Sequence, residues 1–293
     1  MINILLSVVT VFYNPNEEII KNITSYSNQV EKIIIVDNSD NDNSYLLNNI
    51  NNIEYIPLMK NYGIAKALNI GCKKAFELGF EWCMTMDQDS MWNEIQLKNY
   101  ITKVRIKYSE DNTIKLFSPY QETKNVSSLI NQIKKYLLRK NFSSSIPSDD
   151  YVNRCMCSGN IINLNTFNSI GKFYEPFFID EVDHEYCYRL LENSYKIFQF
   201  GSILLNHHLG EEKRSFFPKL QHGIIPNYYQ IRNMLFIKEN YPKYSEMFDY
   251  NKSIKKLIIK RLYFSGLHFC FYLKIILKAF HDYKNNKFGK IEF

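Results

Sequence analysis

Two aspartates one residue apart, Asp87 and Asp89 in Met86-Asp87-Gln88-Asp89-Ser90, directly follow a segment, Glu81 to Met86, that reads as a buried strand. Residues i and i+2 of an extended or turning backbone point to the same side, so both carboxylates can serve one divalent cation at the mouth of a sheet. Hard oxygen ligands select Mg²⁺ or Mn²⁺, and such ions commonly arrive bridging substrate phosphates. An Asp-x-Asp alone also suits a solvated turn, so its neighbours decide. Two further polar clusters fall at predicted strand or loop ends, Asp37-Asn38-Ser39 and Asp180-Glu181-Val182-Asp183. The second packs Asp180, Glu181, Asp183 and Glu185 into a few residues straight after the apolar Phe177-Phe178-Ile179. Acids at a helix N-terminus are favoured by the macrodipole. A base, supplied by one of these acids beside a phosphate leaving group, is the sharper reading.

The elements that must position these clusters alternate. Leu5 to Phe12 reads as a strand, and Asn14-Pro15-Asn16-Glu17-Glu18 supplies the cap, proline and acids of a helix start. A strand from Lys32 to Val36, a short helical piece near Ser44 to Ile50, a strand from Ile53 to Leu58 and an amphipathic helix from Ala65 to Leu78 follow. Strands alternating with helices argue for a right-handedly wound sheet, parallel in this half, with ligands outside the carboxyl ends of the strands. Further on, a helix near Ile95 to Tyr108, strands at Ile114 to Ser118 and Ile197 to Leu205, and a helix from Glu185 to Glu192 are expected. The polar stretch after Gln121, with Ser143-Ser144-Ser145, reads as an insertion, and Val152 to Asn163 as a strand interrupted at Ser158-Gly159.

Asn61-Tyr62-Gly63-Ile64-Ala65-Lys66-Ala67-Leu68-Asn69-Ile70-Gly71, followed by the aspartate pair, closely resembles the family-2 glycosyltransferases of GT-A fold, in particular their bacterial rhamnosyltransferase-like branch. Cys157-Ser158-Gly159 resembles that branch's T-S-G segment with Cys in place of Thr. Gly171-Lys172-Phe173, Phe178-Ile179-Asp180-Glu181-Val182-Asp183-His184-Glu185-Tyr186 with Arg189, His207-His208-Leu209-Gly210, and Tyr228-Tyr229 with Arg232-Asn233 look like its further segments. The resemblance implies a GT-A nucleotide-diphospho-sugar transferase fold, a wound mixed sheet flanked by helices. It implies a catalytic domain over residues 1–240, with the donor half near 1–90 and the acceptor half near 91–240. It places Thr10, Asp37 and Asn61 at the donor nucleotide, and Asp87 at the ribose or a water on the metal. Asp89 becomes a direct ligand of Mg²⁺ or Mn²⁺, His207 a third ligand or diphosphate contact, and Asp183 the base of an inverting transfer. Arg232 and the Lys213–Arg214 loop are expected near the diphosphate. The implied donor is a nucleotide sugar, dTDP-rhamnose ahead of UDP-linked galactofuranose, galactose or glucose. The implied acceptor is a saccharide or lipid-linked saccharide of bacterial surface polysaccharide synthesis.

Composition sets the outer bounds. At 293 residues, 45% hydrophobic and 23% charged, the chain has the make-up of a globular protein rather than a disordered one. Six scattered cysteines show neither a disulfide framework nor paired C-x-x-C spacing, so reduced thiols are expected. Met1 to Phe12 lacks the basic leader and cleavage site of a signal peptide and reads as a first strand, consistent with a cytoplasmic protein. The net charge of +6 is concentrated after residue 252, where lysines interleave with Leu, Ile, Phe and Tyr. Residues 241–293 therefore read as a helical, basic amphipathic region, peripheral on a membrane surface or packed on the domain, because the uncharged run Leu262 to Leu273 is shorter than the about 20 residues of a span. No nucleic-acid recognition motif accompanies the basic tail. A sugar nucleotidyltransferase would carry a glycine-rich phosphate loop after the first strand, and Thr10-Val11-Phe12-Tyr13-Asn14 has no glycine. An inactive nucleotide-sugar-binding scaffold is the remaining alternative of a different class.

Overall fold

A computed structural model describes residues 4–48, 50–121, 147–207, 224–263 and 268–291. Four strands, β1 (Leu6–Phe12), β2 (Lys32–Asp37), β3 (Ile53–Pro57) and β4 (Trp82–Asp87), run parallel, with β1 between β2 and β4. Their side chains divide by parity: Val9, Val11, Ile34 and Val36 enter one core cluster, while Val8, Phe12, Ile33 and Ile35 enter another. Strands covered on both faces read as unbroken apolar runs, which is why β1 and β2 show no alternation in sequence. Helix α2 (Ile64–Glu77) covers the first face through Ala65, Leu68, Cys72 and Ala75. Helices α1 (Glu18–Ser27) and α3 (Glu94–Glu110) cover the second through Ile23, Tyr26, Leu97 and Tyr100.

Beyond β4 the sheet becomes mixed. Strand β8 (Asn160–Asn163) runs antiparallel to β4 and to β6 (Ile114–Gln121), and β6 runs parallel to β9 (Lys196–His207). The two-residue β5 (Ser90–Met91) pairs antiparallel with the end of β9, and β7 (Asp150–Tyr151) lies on β9 as well. Among the described residues the order is β3-β2-β1-β4-β8-β6-β9-β5. The strand expected over Val152 to Asn163 is shorter, because Gly159 at φ +81° turns the chain across the end of β4. There Gly159 N donates to Thr85 O at 2.7 Å, and Thr85 Oγ1 donates to Cys157 O at 2.7 Å. The helical piece near Ser44 to Ile50 is a 3-10 turn, Ser44–Leu47. Helix α4 (Leu164–Ile170), unforeseen from sequence, starts where Asn163 turns its side chain back to accept from Thr166 N.

After α5 (Val182–Glu192), the C-terminal third is helical: α6 (Ile224–Asn240), α7 (Pro242–Met247), α8 (Tyr250–Tyr263) and α9 (Phe269–Lys284). Helix α9 docks on α6, where Ile275, Ile276 and Ala279 meet Tyr228, Tyr229 and Ile231, and Tyr228 donates to Asp282 at 2.7 Å. Residues on both sides of the boundary expected at residue 240 thus share this apolar cluster.

Contact between α2 and β1 is close enough to require a glycine. A Cβ on Gly71 would lie 2.4 Å from Val9 Cγ1 and 3.1 Å from Val36 Cγ2. Although alanine is the better helix former, Gly71→Ala is expected to lower stability by about 1–3 kcal/mol through overpacking, read as a lower urea midpoint with an unchanged m-value.

Candidate active site

The aspartate pair is oriented by what its neighbours do. Gln88, between the two, turns away from the sheet mouth: Tyr13 N donates to its Oε1 at 2.9 Å and its Nε2 donates to Tyr13 O at 3.1 Å. Asn22 Nδ2 holds the Gln88 carbonyl at 2.8 Å. With Gln88 fixed to the segment after β1, Asp87 and Asp89 fall on the opposite side of the turn. Ser158 closes the turn, since Asp87 N donates to its Oγ at 3.1 Å and that Oγ donates to Ser90 Oγ at 2.8 Å. Sequence reasoning passed over Ser158 as a positioning residue, although its place in the C-S-G segment was visible. The β5–β9 register sets the backbone of His207 opposite Ser90, one residue past Asp89. The side chain of His207, together with His208, Lys213 and Arg214, lies outside the described residues.

Asp180 and Asp183 reach the same cleft by a strained route. Phe178, Asp180 and Glu181 have φ of +67°, +63° and +60°, a region that disfavours side chains other than glycine. Two consecutive side chains of α6 hold this backbone. Arg232, fully buried, donates from Nη2 to Pro176 O at 3.1 Å and Phe177 O at 2.9 Å, and from Nη1 to Gly289 O at 2.9 Å. Asn233 Nδ2 lies within hydrogen-bond reach of the carbonyls of Phe177 at 3.2 Å, Ile179 at 2.8 Å and Asp180 at 2.9 Å. Phe178 O accepts from Ile64 N at 2.7 Å, docking the loop on the start of α2. Gly63 has φ +89°, and a Cβ there would sit 2.6 Å from that same carbonyl oxygen, so only glycine permits the approach.

The outcome is a cleft of about 800 Å³ whose lining includes Asp87, Asp180, Glu181 and Asp183. The four acids after Ile179 take different tasks. Glu185 is buried, pairs with Arg189 at 2.7 Å and accepts from Tyr241 OH at 2.7 Å, while Arg189 also holds the carbonyls of Ile170 and Lys172. Glu181 binds His184 Nδ1 and Tyr250 OH, each at 2.9 Å. Asp180 and Asp183 are left to the cleft.

Four residues expected at the donor have side chains engaged within the fold. Arg232 is not among the residues lining the cleft, and its guanidinium donates to main-chain carbonyls of the segment that leads into the acidic loop. Thr10 is buried with Oγ1 2.9 Å from Tyr26 OH, turned toward α1 and away from the sheet mouth. Asp37 lies at the end of β2 as expected but is buried, accepting from Ser39 N at 3.0 Å, Asn43 Nδ2 at 2.8 Å and Tyr55 OH at 2.7 Å. Asn61 Oδ1 accepts from Asn38 Nδ2 at 3.1 Å and Gly63 N at 2.9 Å, shaping the turn into α2. Both stand at the carboxyl side of β2 and β3, outside the walls of the 800 Å³ cleft.

Electrostatics distinguish the groups further. Burial, then the charges of Asp89 and Asp183, push Asp87 up to about 7. Burial, then Glu181 and Asp183, push Asp180 up to about 7 against the opposing charge of His184. Burial disfavours the His184 cation, yet Asp183 and Glu181 hold it up to about 9. An all-oxygen donor set at Asp87 and Asp89, where burial and then neighbouring carboxylates disfavour the ionised Asp87, fits a hard divalent cation. Among the described residues no cluster of three or more ligating side chains is assembled.

An acid with a raised folded pKa stabilises below its unfolded value and loses that contribution as pH rises through the folded one. Ionised Asp180 therefore costs the metal-free fold on the order of a few kcal/mol above pH about 7, since each tenfold change in proton affinity is worth about 1.4 kcal/mol. Asp180→Asn should raise the melting temperature at pH 8, and the gain should vanish toward pH 4, as scanning calorimetry in chelator will show.

Known proteins resemble the chain in sequence and in fold. Residues 7–158 match the glycosyl transferase family 2 profile. The chain is 28% identical over 244 residues, 80% of each sequence, to the dTDP-rhamnosyl transferase RfbF of Shigella flexneri. Its fold is similar to GalNAc-T7 solved with UDP, GalNAc and Mn²⁺, at TM-score 0.57 and 14% identity, covering 91% of this chain and 58% of that one. It is also similar to residues 1–349 of S. aureus TarS in complex with UDP-GlcNAc, at TM-score 0.56 and 15% identity, covering 95% of this chain and 80% of that one. The mixed wound sheet is the GT-A architecture, and by the match of residues 7–158 the chain belongs to glycosyl transferase family 2, a glycosyltransferase.

Proposed function

We propose that the chain is a metal-dependent, inverting transferase that moves L-rhamnose from dTDP-rhamnose to a saccharide or lipid-linked saccharide of surface polysaccharide synthesis. The observation that carries the reading is the meeting of Asp87 and Asp183, distant in sequence, on one cleft. The identity to a dTDP-rhamnosyl transferase supports the donor. Asp89 and Asp87 would hold Mg²⁺ or Mn²⁺, with His207, whose backbone pairs opposite Ser90, as the further candidate ligand. When bound, such an ion offsets the negative charge that develops on a departing diphosphate.

The remaining work falls to the chain's own groups. Asp183, at the first turn of α5, accepts the proton of the acceptor hydroxyl as that oxygen attacks the anomeric carbon. One oxygen of Asp183 is already oriented by His184 N, which donates to Oδ1 at 2.9 Å, leaving the other to take the proton. Asp180 narrows the acceptor side of the cleft. Asp37 and Asn61, locked in their turns, form rigid strand ends beside the nucleotide. This is positioning chemistry on a preset frame.

The C-terminal helices supply a surface for a membrane-borne acceptor. Helix α9 buries Tyr272, Ile275, Ile276 and Ala279 against the domain and leaves Phe269, Phe271, Leu273, Leu277 and Phe280 exposed, with Lys274 and Lys278 beside them. No described helix is long and apolar enough to cross a membrane. Apolar residues at the acyl boundary and lysines at anionic headgroups describe peripheral attachment, on the cytoplasmic side where nucleotide sugars are made. Co-sedimentation with phosphatidylglycerol vesicles, and its loss in Leu277→Asp, measures it.

Asp183→Asn is expected to lower turnover by about 10²–10⁴-fold with donor affinity unchanged, whereas Asp89→Asn should abolish the metal-dependent part of donor binding. In thermal-shift titrations, dTDP-rhamnose with Mg²⁺ or Mn²⁺ should raise the melting temperature above that seen with UDP-galactose, UDP-glucose or GDP-mannose, and chelator should remove the rise. Preference for a UDP sugar would keep the class and overturn the rhamnose assignment. Silence with every donor would favour an inactive scaffold.

A further inference from the structure

A second cavity of about 330 Å³ shares a wall with the catalytic cleft, and its charge is opposite. Arg154, His184, Gln230 and Glu181 line both; Lys256 and Lys260 of α8 close the far side of the smaller one. Arg154 is held in place by stacking, its Cζ 3.8 Å from the centre of the Phe248 ring, and by the nearby hydroxyls of Tyr188 and Tyr250. Among the described residues Arg154, Lys256 and Lys260 take part in no ion pair, and the one carboxylate of the chamber, Glu181, is matched by His184 at 2.9 Å. A cavity holding more cations than anions, with Gln230 and Ser253 as further hydrogen-bonding groups, is built for an anion of high charge density.

Its third neighbour adds the apolar half. Lys256 and Lys260 also border a groove of about 720 Å³ along α8, which includes Ile259 and Tyr263, 67% and 80% exposed. An acidic cleft, a basic chamber and an apolar groove with a lysine edge thus follow one another without a gap. We propose that the basic chamber binds the diphosphate ester of the acceptor, with its saccharide toward Asp183 and its hydrocarbon chain along the α8 groove. This rests on reading the larger cleft as the transfer site. The chamber then gives register: the ester fixes how far into the cleft the saccharide reaches, and so which hydroxyl meets the base.

The test separates the two readings. In chelator, where the metal cannot bring diphosphate to the donor side, inorganic diphosphate and farnesyl diphosphate are titrated calorimetrically into the wild type and into the Lys256→Gln/Lys260→Gln variant. Farnesyl diphosphate should bind the wild type more tightly than inorganic diphosphate. Both should weaken about tenfold in the variant, as expected for the loss of charge-assisted hydrogen bonds. The variant should keep the wild-type melting temperature and its Mn²⁺-dependent response to dTDP-rhamnose. Equal affinity of wild type and variant, or no binding to the wild type, would overturn the chamber. Equal affinity for the two diphosphates would overturn the groove. Loss of the dTDP-rhamnose response in the wild type would instead count against the transfer reading while the diphosphate result stands on its own.

Discussion

Arg232 is buried among carbonyls, and the site depends on that arrangement. No carboxylate is within ion-pair distance among the described residues; the guanidinium is held by the carbonyls of Pro176, Phe177 and Gly289 and by the rings of Tyr228, Tyr229 and Phe288, each within about 5 Å. Taking a cation out of water costs several kcal/mol, and burial accordingly lowers the Arg232 pKa. What the cost supports is a loop with three side-chain residues in the left-handed region, fixed at its far end by Phe178 O on Ile64 N. A planar fork that satisfies two adjacent carbonyls suits this task, and a lysine does not reproduce it.

From that loop the charge distribution of the whole site follows. Asp180 and Asp183 share the cleft with Asp87, and burial followed by neighbouring carboxylates disfavours the ionised forms of Asp87 and Asp180, while Glu181, on the wall between the two cavities, pairs with His184. A single short segment therefore separates an acid-rich chamber from a base-rich one. In the proposed function the divide sets opposite chemical tastes side by side, metal and donor diphosphate on one hand, an anionic group of the acceptor on the other. Helix α8 bounds the second chamber, which gives the C-terminal helices a part in the site beyond any surface role.

Much of the frame was legible in sequence, for physical reasons. Buried parallel strands announce themselves as continuous apolar runs, so β1, β2 and β4 were found nearly to the residue, and the Asp87–Asp89 pair with them. The strand over Val152 to Asn163 misled because its apolar residues serve a loop packed on β4, with Gly159 as the turning point. Helix α4 was missed since its cap, Asn163, lies inside a strand. Motif residues were harder to read. Arg232, Asn233, Glu185, Arg189 and Ser158 all stand in segments that resemble the family, and sequence alone does not tell a ligand contact from a buried brace. Only the partners of each donor and acceptor do, and here they are main-chain carbonyls and neighbouring side chains. Thr10 teaches the same, its hydroxyl used on Tyr26.

The Arg232 guanidinium is bonded to the carbonyls of Pro176, Phe177 and Gly289 beside the loop bearing Asp183, and the Arg232→Lys variant tests the proposed positioning role most directly. Its affinity for dTDP-rhamnose with Mn²⁺ is measured by calorimetry, and its turnover at saturating donor is read as dTDP release, with circular dichroism to verify the fold. An unchanged dissociation constant is expected, with turnover lowered by about 10²-fold, the scale of a misplacement of about 1 Å at a reacting group. Weakened donor binding with turnover at saturation preserved would contradict the positioning role and return Arg232 to the diphosphate.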